Sequence, residues 1–235
     1  MALSNTKRFY KAVTVAPAGD GWEVRLDDRP VKAPSGAPLV LARRALADAI
    51  AEEWSDQGER IRPDAMPFYR LAATAIDRVG PRRDEVISVT LKFAETDLLC
   101  YRAENPPELA QRQGERWQPL LDWARETLAC DMRVTRGVIP VNQPAAALSA
   151  LERALAELDD LQLTALSAIA AAAGSLVIAL ALARGRIDAE TASDLAQLDE
   201  VFQAEQWGQD REAVLRRQRI RTEIAESARF LNLLG

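Results

Sequence analysis

Hydrophobic and polar positions change period once along this chain. Over the first forty residues the pattern is that of β structure. Residues 10–15, YKAVTV, are rich in strand formers, and residues 17–21, PAGDG, read as a turn. The next run alternates cleanly and places Trp22, Val24 and Leu26 on one face of a strand. Residues 27–30, DDRP, predict a second turn before a short strand at 31–33. Pro34 and Pro38 confine any further pairing to a sheet edge. From there the period is helical. Leu46, Ile50 and Trp54 stand at i, i+4 and i+8, with a stop near Gln57-Gly58, and residues 68–79 predict a second helix on Leu71, Ala75 and Val79. Gly80-Pro81 is the strongest punctuation in the chain. The domain boundary is placed there, giving a small α+β domain at 1–80 and a larger all-helical domain at 81–235.

Within the second domain, residues 84–93 carry Val86, Thr90 and Phe93 on one helical face. Asn105-Pro106-Pro107-Glu108 opens a helix, with proline tolerated in the first turn and Glu108 facing the positive end of the dipole. That helix runs toward Trp117 and is expected to kink or restart at Pro119, resuming over 120–128. Residues 132–141 read as irregular or weakly β, and helices are expected over 145–158, 189–207 and 211–234. Residues 163–183 carry no charge and are long enough to cross a bilayer. Their richness in Ala, with Thr164, Ser167, Gly174 and Ser175, suits close helix packing instead, so this segment reads as a central buried helix with no stable membrane insertion.

Residues 198–208, LDEVFQAEQWG, depart from this order. On a helix, Leu195, Leu198, Val201 and Phe202 share one arc, and Glu205 falls in its middle while Glu200 and Trp207 point the other way. A carboxylate on an apolar face is costly unless paired, and a Trp on the wet face calls for a partner. Glu205 has two readings. It is buried against an arginine of the last helix, Arg216 or Arg219, or it is a charged contact inside an apolar docking surface that rejects wrong partners.

Composition narrows the chemistry. The chain has 235 residues, 48% hydrophobic and 28% charged, an ordinary balance for a chain with one or two cores. A net charge of −5 argues against a general nucleic-acid binder. There is no histidine, which excludes Ser-His-Asp and Cys-His catalysis and the commonest metal ligand. With only Cys100 and Cys130, no Cys/His zinc site forms within the chain, and both thiols are expected buried and reduced. The absence of a Gly-Lys pair and of GxGxxG removes the phosphate-binding loops, so no cofactor is expected. The opening MALSNTKRFY has neither an apolar signal core nor an Arg/Ser-rich amphipathic pattern, which fits a cytoplasmic chain or one already processed.

The remaining chemistry is in carboxylates and aromatics. Asp97, Asp199, Glu200 and Glu205 are the candidates for carboxylate catalysis, since paired acids shift one another, but proximity of acids is common by chance. Trp117, Trp123, Trp207 and Trp54 are core residues or, where one edge stays wet, interface anchors. Five arginines at 211–221, with Glu212 among them and Glu223 and Glu226 following, read as a solvated helix face. In TDLLCYR at 96–102, Asp97 and Arg102 flank an apolar centre. They form either an internal pair tying helix to loop or part of the same cleft as Glu205.

Several stretches match one family. They are RFYKAV at 8–13, LDDRPVKAP at 26–34, EEWSDQGERIRPDAMP at 52–67, TAID at 74–77 and TDLLCYRAENPPELAQRQGERWQPLLDW at 96–123. SLVIALALARGRI at 175–187, LDEVFQAEQWGQD at 198–210 and RFLNLL at 229–234 complete the series. The chain resembles the assembly chaperones for the soluble catalytic head of ATP synthase, the branch that holds the alpha subunit before it joins beta. Phe68-Tyr69 departs from the Thr-containing run of that family. The resemblance implies a non-enzymatic chaperone without cofactor or metal, with a small α+β domain before an all-helical one. Its client would be the ATP synthase alpha subunit, released by competition on ring assembly, and a bacterial, cytoplasmic setting where eukaryotic members work in the mitochondrial matrix. It carries a client-binding role onto Glu200, Glu205, Trp207 and Gly208. Phe202, Asp97, Arg102 and Trp117 are added as candidate neighbours. A helical adaptor for another client and a carboxylate hydrolase remain the alternatives.

Overall fold

A computed structural model describes residues 6–137 and 139–235, so the first five residues of the opening segment read above for a leader lie outside the described residues, as does Val138 in the stretch read as weakly β. The architecture is α+β, as the change of period predicts. An antiparallel sheet in the order β1 (Val13–Ala18), β2 (Gly21–Leu26), β3 (Arg29–Pro30) comes first. Val24 and Leu26 are buried, as their alternation requires, while Trp22 is half-buried beneath the Arg44 guanidinium. The first turn is tighter than PAGDG suggests. Pro17 and Ala18 stay in β1, paired with Trp22 and Gly21, because β1 is an edge strand where a missing N–H costs nothing. The second turn is held by Asp27, whose carboxylate accepts from the backbone N–H groups of Lys11 and Ala12; those two bonds hold its pKa below the ordinary carboxylate value.

Helix α1 (Arg44–Ser55) buries Leu46, Ile50 and Trp54, one face at the expected spacing. Helix α2 (Pro67–Thr74) follows. The chain then stays helical through Gly80-Pro81, as a π turn at Ala75–Val79 and a 3-10 turn at Gly80–Arg82, into α3 (Arg83–Glu95). The punctuation is real but is absorbed by a change of helical pitch rather than a break. Gly80 sits close to its neighbours: an added Cβ would stand 3.1 Å from the Asp160 carboxylate, which Arg83 holds at 2.6 Å and which would have to shift by a few tenths of an ångström. Helix α3 buries Ile87, Thr90 and Ala94, one step round from the Val86, Thr90, Phe93 face expected.

The chain divides into two compact units. The first contains the chain up to Arg83 together with Asp160–Ala165 and Arg229–Gly235, and the second contains Asp84–Asp159 and Leu166–Ala228. The first unit is centred on the edge-to-face aromatic cluster Tyr10, Trp54 and Tyr69, with ring centroids 5.7 and 5.3 Å apart. Leu46, Ile50, Phe68 and Phe230 pack in the same core.

The second unit carries β4 (Tyr101–Arg102), α4 (Pro107–Leu128) and β5 (Thr135–Arg136), with β4 and β5 parallel across the α4 crossover. Helix α4 runs unbroken through Pro119, against the expected restart. Leu120, Leu121 and Ala124 beyond it and Trp117 before it are buried on one face, and that burial outweighs the ~3 kcal/mol of an interior proline. Helices α5 (Ala145–Ala156), α6 (Asp160–Ala173) and α7 (Leu176–Ala183) follow. The uncharged segment is therefore two helices. Gly174 takes φ +64 between them and the Ser175 hydroxyl caps α7 by accepting from Ile178 N–H. Residues 176–181 are wholly buried, and no described helix is long and apolar enough to cross a membrane. Helices α8 (Ala189–Ala196) and α9 (Leu198–Trp207) replace the single helix expected at 189–207, with Gln197 at φ −113 between them. Helix α10 (Arg211–Leu234) ends the chain. Cys100 and Cys130 are free, buried thiols that burial pushes up to about 12.

Candidate functional site

Helix α9 begins with Asp199 and Glu200 in its first turn, favourable against the positive end of the dipole. It stops at Gly208, whose φ of +89 with ψ 174 is a backbone region open almost only to glycine. Gly208 thus reverses the chain into α10 by conformation, a reason for its presence independent of any partner.

One stripe of α8 and α9 is fixed to α4. Leu195, Asp199, Phe202 and Glu205 recur at spacings of four, three and three. Trp117 Nε1 donates to the Leu195 carbonyl at 3.0 Å, and Gln113 Nε2 donates to Asp199 Oδ1 at 2.8 Å. The Arg112 guanidinium lies 5.0 Å from the Phe202 ring centroid, and its Nη1 donates to Glu205 Oε2 at 2.8 Å. Burial raises the Asp199 carboxyl above its ordinary value, with the Gln113 bond and the Arg102 charge pulling the other way.

This arrangement corrects two expectations. The partner of Glu205 is Arg112 of α4, not Arg216 or Arg219 of the last helix, and the pair is half-exposed rather than sunk in an apolar face. Asp97 and Arg102 do not pair with each other, nor does Asp97 line a cleft with Glu205. Asp97 is fully buried; its two oxygens accept from Leu99 N–H and Val177 N–H, each at 3.1 Å, so it closes the turn after α3 and the amino end of α7 together. Burial pushes its pKa up to about 6 against the downward pull of those bonds and of Ser175. Arg102 lies 5.2 Å over the ring of Trp117 and donates to the Gln113 carbonyl at 2.5 Å. Asp97, Arg102, Trp117 and Phe202 are all interior, and Trp123 is half-buried.

The outward face is different. Trp207 is 78% exposed, as its angle on the helix requires, and Val201 and Leu215 are exposed with it. Glu200 Oε1 accepts from Arg216 Nη2 at 3.1 Å, while Glu200 Oε2 is buried with no hydrogen-bond partner among the described residues. Two clefts separate α8 and α9 from the first half of α10. A cleft of about 220 Å³ is lined by Glu200, Trp207, Gly208, Arg216 and Arg217. One of about 420 Å³ is lined by Asp194, Val201, Val214, Arg217 and Arg221. Arg221 bridges to Asp194 at 3.0 Å and to Glu190 at 3.7 Å. Of the candidates, then, Glu200, Trp207 and Gly208 line one cleft, while Glu205 is paired with Arg112 of α4. The α4 residues Arg112 and Gln113 were missed; the four- and three-residue spacing of Leu195, Asp199, Phe202 and Glu205 was the signal for a second packed face. Among the described residues no cluster of three acids or thiols is placed to hold a metal.

The comparisons with known proteins agree with one another. Residues 7–125 match the family model of the ATP12 chaperone protein. Two solved structures of Atp12 from Paracoccus denitrificans, one an aspartate-to-lysine mutant, are 44% identical, cover 97% of this chain and 98% of theirs, and superpose with a TM-score of 0.93. The mitochondrial protein atp12 of Schizosaccharomyces pombe is 26% identical over 214 residues, 86% of this chain and 74% of that protein. Matching sequence along half the chain and matching backbone along nearly all of it place this protein in the ATP12 chaperone family.

Proposed function

We propose that this chain binds the unassembled ATP synthase alpha subunit through the outward face of α9 and the first half of α10, and is displaced when the ring assembles. Membership of the ATP12 family makes it a chaperone of ATP synthase assembly with a protein client. The alpha subunit is the finer reading, and it comes from the resemblance set out above.

One observation carries the choice of surface: Trp207 is 78% exposed beside Glu200, on a helix whose other side is fixed to α4. A large aromatic left in water on a rigid support is the usual form of an interface anchor. An isolated ring subunit exposes apolar surface that its neighbours normally cover, and such patches drive aggregation. The sequence has no phosphate-binding loop, so release proceeds by competition for the same surface. At ~1,600 Å² of contact the affinity spans micromolar to picomolar, and exchange favours the weaker end. A surface mixing Trp207 with the Glu200–Arg216 pair suits this, since charge sets register and partner choice more than raw affinity.

The test is light-scattering aggregation of purified alpha subunit with and without this chain. Protection is expected, and Glu200→Lys, which places a cation beside Arg216 and Arg217, weakens it while the circular dichroism spectrum is unchanged. No protection by the unaltered chain would remove the alpha subunit as client. Turnover of a metabolite by the purified chain would remove the non-enzymatic reading.

A further inference from the structure

The larger cleft beside α9 is unevenly matched in charge. Val201 and Val214 supply its apolar walls, with Arg217, Gln218 and Arg221 from α10 around them. Arg221 is neutralised by Asp194 and Glu190, and next door Arg216 is neutralised by Glu200. Arg217 borders both clefts, is half-buried, and among the described residues its guanidinium makes neither ion pair nor hydrogen bond. The Gln218 amide beside it is likewise unpartnered among the described residues. A partly desolvated guanidinium holds five donors in a planar fork that fits a carboxylate, so its unfilled valence states what it would accept.

Other anions fit less well. Val214, Arg217 and Arg221 are interior to α10, where backbone N–H groups are already used in the helix, so a phosphate finds no amide cradle. Arg216, Arg217 and Arg221 stand near the three acids Glu190, Asp194 and Glu200, so this region carries no net positive charge to attract a polyanion such as nucleic acid. A single carboxylate next to an apolar side chain answers both the cation and the valine walls, and a volume of about 420 Å³ admits it.

We propose that this cleft receives a segment of the protein client in which an acidic side chain lies beside an apolar one. The carboxylate pairs with Arg217 and the apolar side chain lies between Val201 and Val214. The inference rests on the alpha-subunit reading and adds what the client must present.

The experiment uses the full chain and isolated ATP synthase alpha subunit. A photo-crosslinking amino acid at position 214 is expected to capture a client peptide with Asp or Glu adjacent to a large apolar residue. Arg217→Gln weakens the complex about tenfold and Arg217→Glu further. Arg219→Glu makes the same charge change on α10 outside both clefts and leaves affinity within about twofold. Reversing the captured client carboxylate to lysine restores binding to Arg217→Glu, a rescue that a purely structural role of Arg217 would not produce. Equal losses for Arg217→Glu and Arg219→Glu, a captured peptide without an acid, or no rescue overturns this inference and leaves the client reading standing. Failure of the unaltered chain to bind the subunit overturns both.

Discussion

Gln113 on α4 donates its side-chain amide to Asp199 on α9 at 2.8 Å, and the same amide's oxygen accepts from the backbone N–H of Ala103 at 2.7 Å. One buried side chain therefore ties the strand before α4 to the helix that presents Glu200 and Trp207. Gln113 is 1% exposed, so neither bond has water to replace it. Gln113→Leu leaves the part-buried Ala103 N–H and the half-buried Asp199 carboxylate without these partners, at roughly 1–3 kcal/mol each. The urea midpoint is expected to fall by the equivalent of about 2–4 kcal/mol with little change in slope. A loss below about 1 kcal/mol would mean that α9 is fixed by Phe202 and Trp117 without this bridge.

Asp97 makes stability depend on pH with a definite sign. Its folded pKa, pushed up to about 6, lies above the ordinary carboxylate value of 3.8, so the folded state binds the proton more tightly. The contribution is fully present below 3.8 and is lost as pH rises to about 6, a span of about 3 kcal/mol. Other groups titrate in the same range, so the measurement is the stability difference between the wild type and Asp97→Asn. That difference is expected to turn against the wild type between pH 4 and 6 and to stay flat above pH 7. A flat difference throughout would show that the bonds from Leu99 and Val177 offset burial completely.

The Arg112–Glu205 pair is expected to contribute little. Both side chains are nearly half exposed, which puts the pair in the 0–1 kcal/mol class of surface ion pairs. A double-mutant cycle with Arg112→Ala and Glu205→Ala measures the coupling, and 0.5 M salt should reduce it further. Arg112→Ala alone is expected to cost more than Glu205→Ala, because it also uncovers the Phe202 ring. Equal single-mutant costs would remove the cation–π contact from this account.

How far the sequence foretold these features follows from which interactions are local. Val24, Leu26, Leu46, Ile50 and Trp54 were legible because alternation and helical spacing are properties of a single element. The exposure of Trp207 was legible for the same reason, since its angle relative to Leu198 and Phe202 is fixed by the helix. The partner of Glu205 was not legible. Arg112, Arg216 and Arg219 are equally good cations, and only the packing of α9 on α4 chooses among them. Nor was the role of Asp97, because its second acceptor contact is with Val177, eighty residues away in sequence. The breaks at Gly174 and Gln197 fall inside runs whose apolar pattern continues across them, so periodicity alone merges α6 with α7 and α8 with α9.

Gly208 is predicted to be intolerant of any side chain. Its φ of +89 with ψ 174 disfavours residues bearing a Cβ, although nothing lies within 4 Å of the place a Cβ would take. The strain is in the backbone alone, at about 1–3 kcal/mol for Gly208→Ala. Because the turn joins the exposed ends of α9 and α10, relief comes by local opening. Amide exchange at residues 204–213 is expected to accelerate well before the global midpoint moves. A drop in global stability with unchanged local exchange would show that the turn is part of the core folding unit.

Trp207 separates stability from function. At 78% exposure it contributes little to the fold, so Trp207→Ser is expected to shift the urea midpoint by less than about 0.5 kcal/mol. The same substitution removes the largest apolar surface beside the Glu200–Arg216 pair, and hot-spot tryptophans commonly cost 2 kcal/mol or more on truncation. Client affinity should therefore fall about thirtyfold or more while the variant stays folded. Phe202→Ala is the counterpart: Phe202 is 4% exposed under Arg112, and its truncation should cost about 3–5 kcal/mol of stability and weaken the client only through loosening of α9. Reading both variants by urea unfolding and by retention of alpha subunit places the client on the outer face of α9 if the two measurements diverge for Trp207→Ser and move together for Phe202→Ala. Unchanged retention with Trp207→Ser would move the contact away from this face.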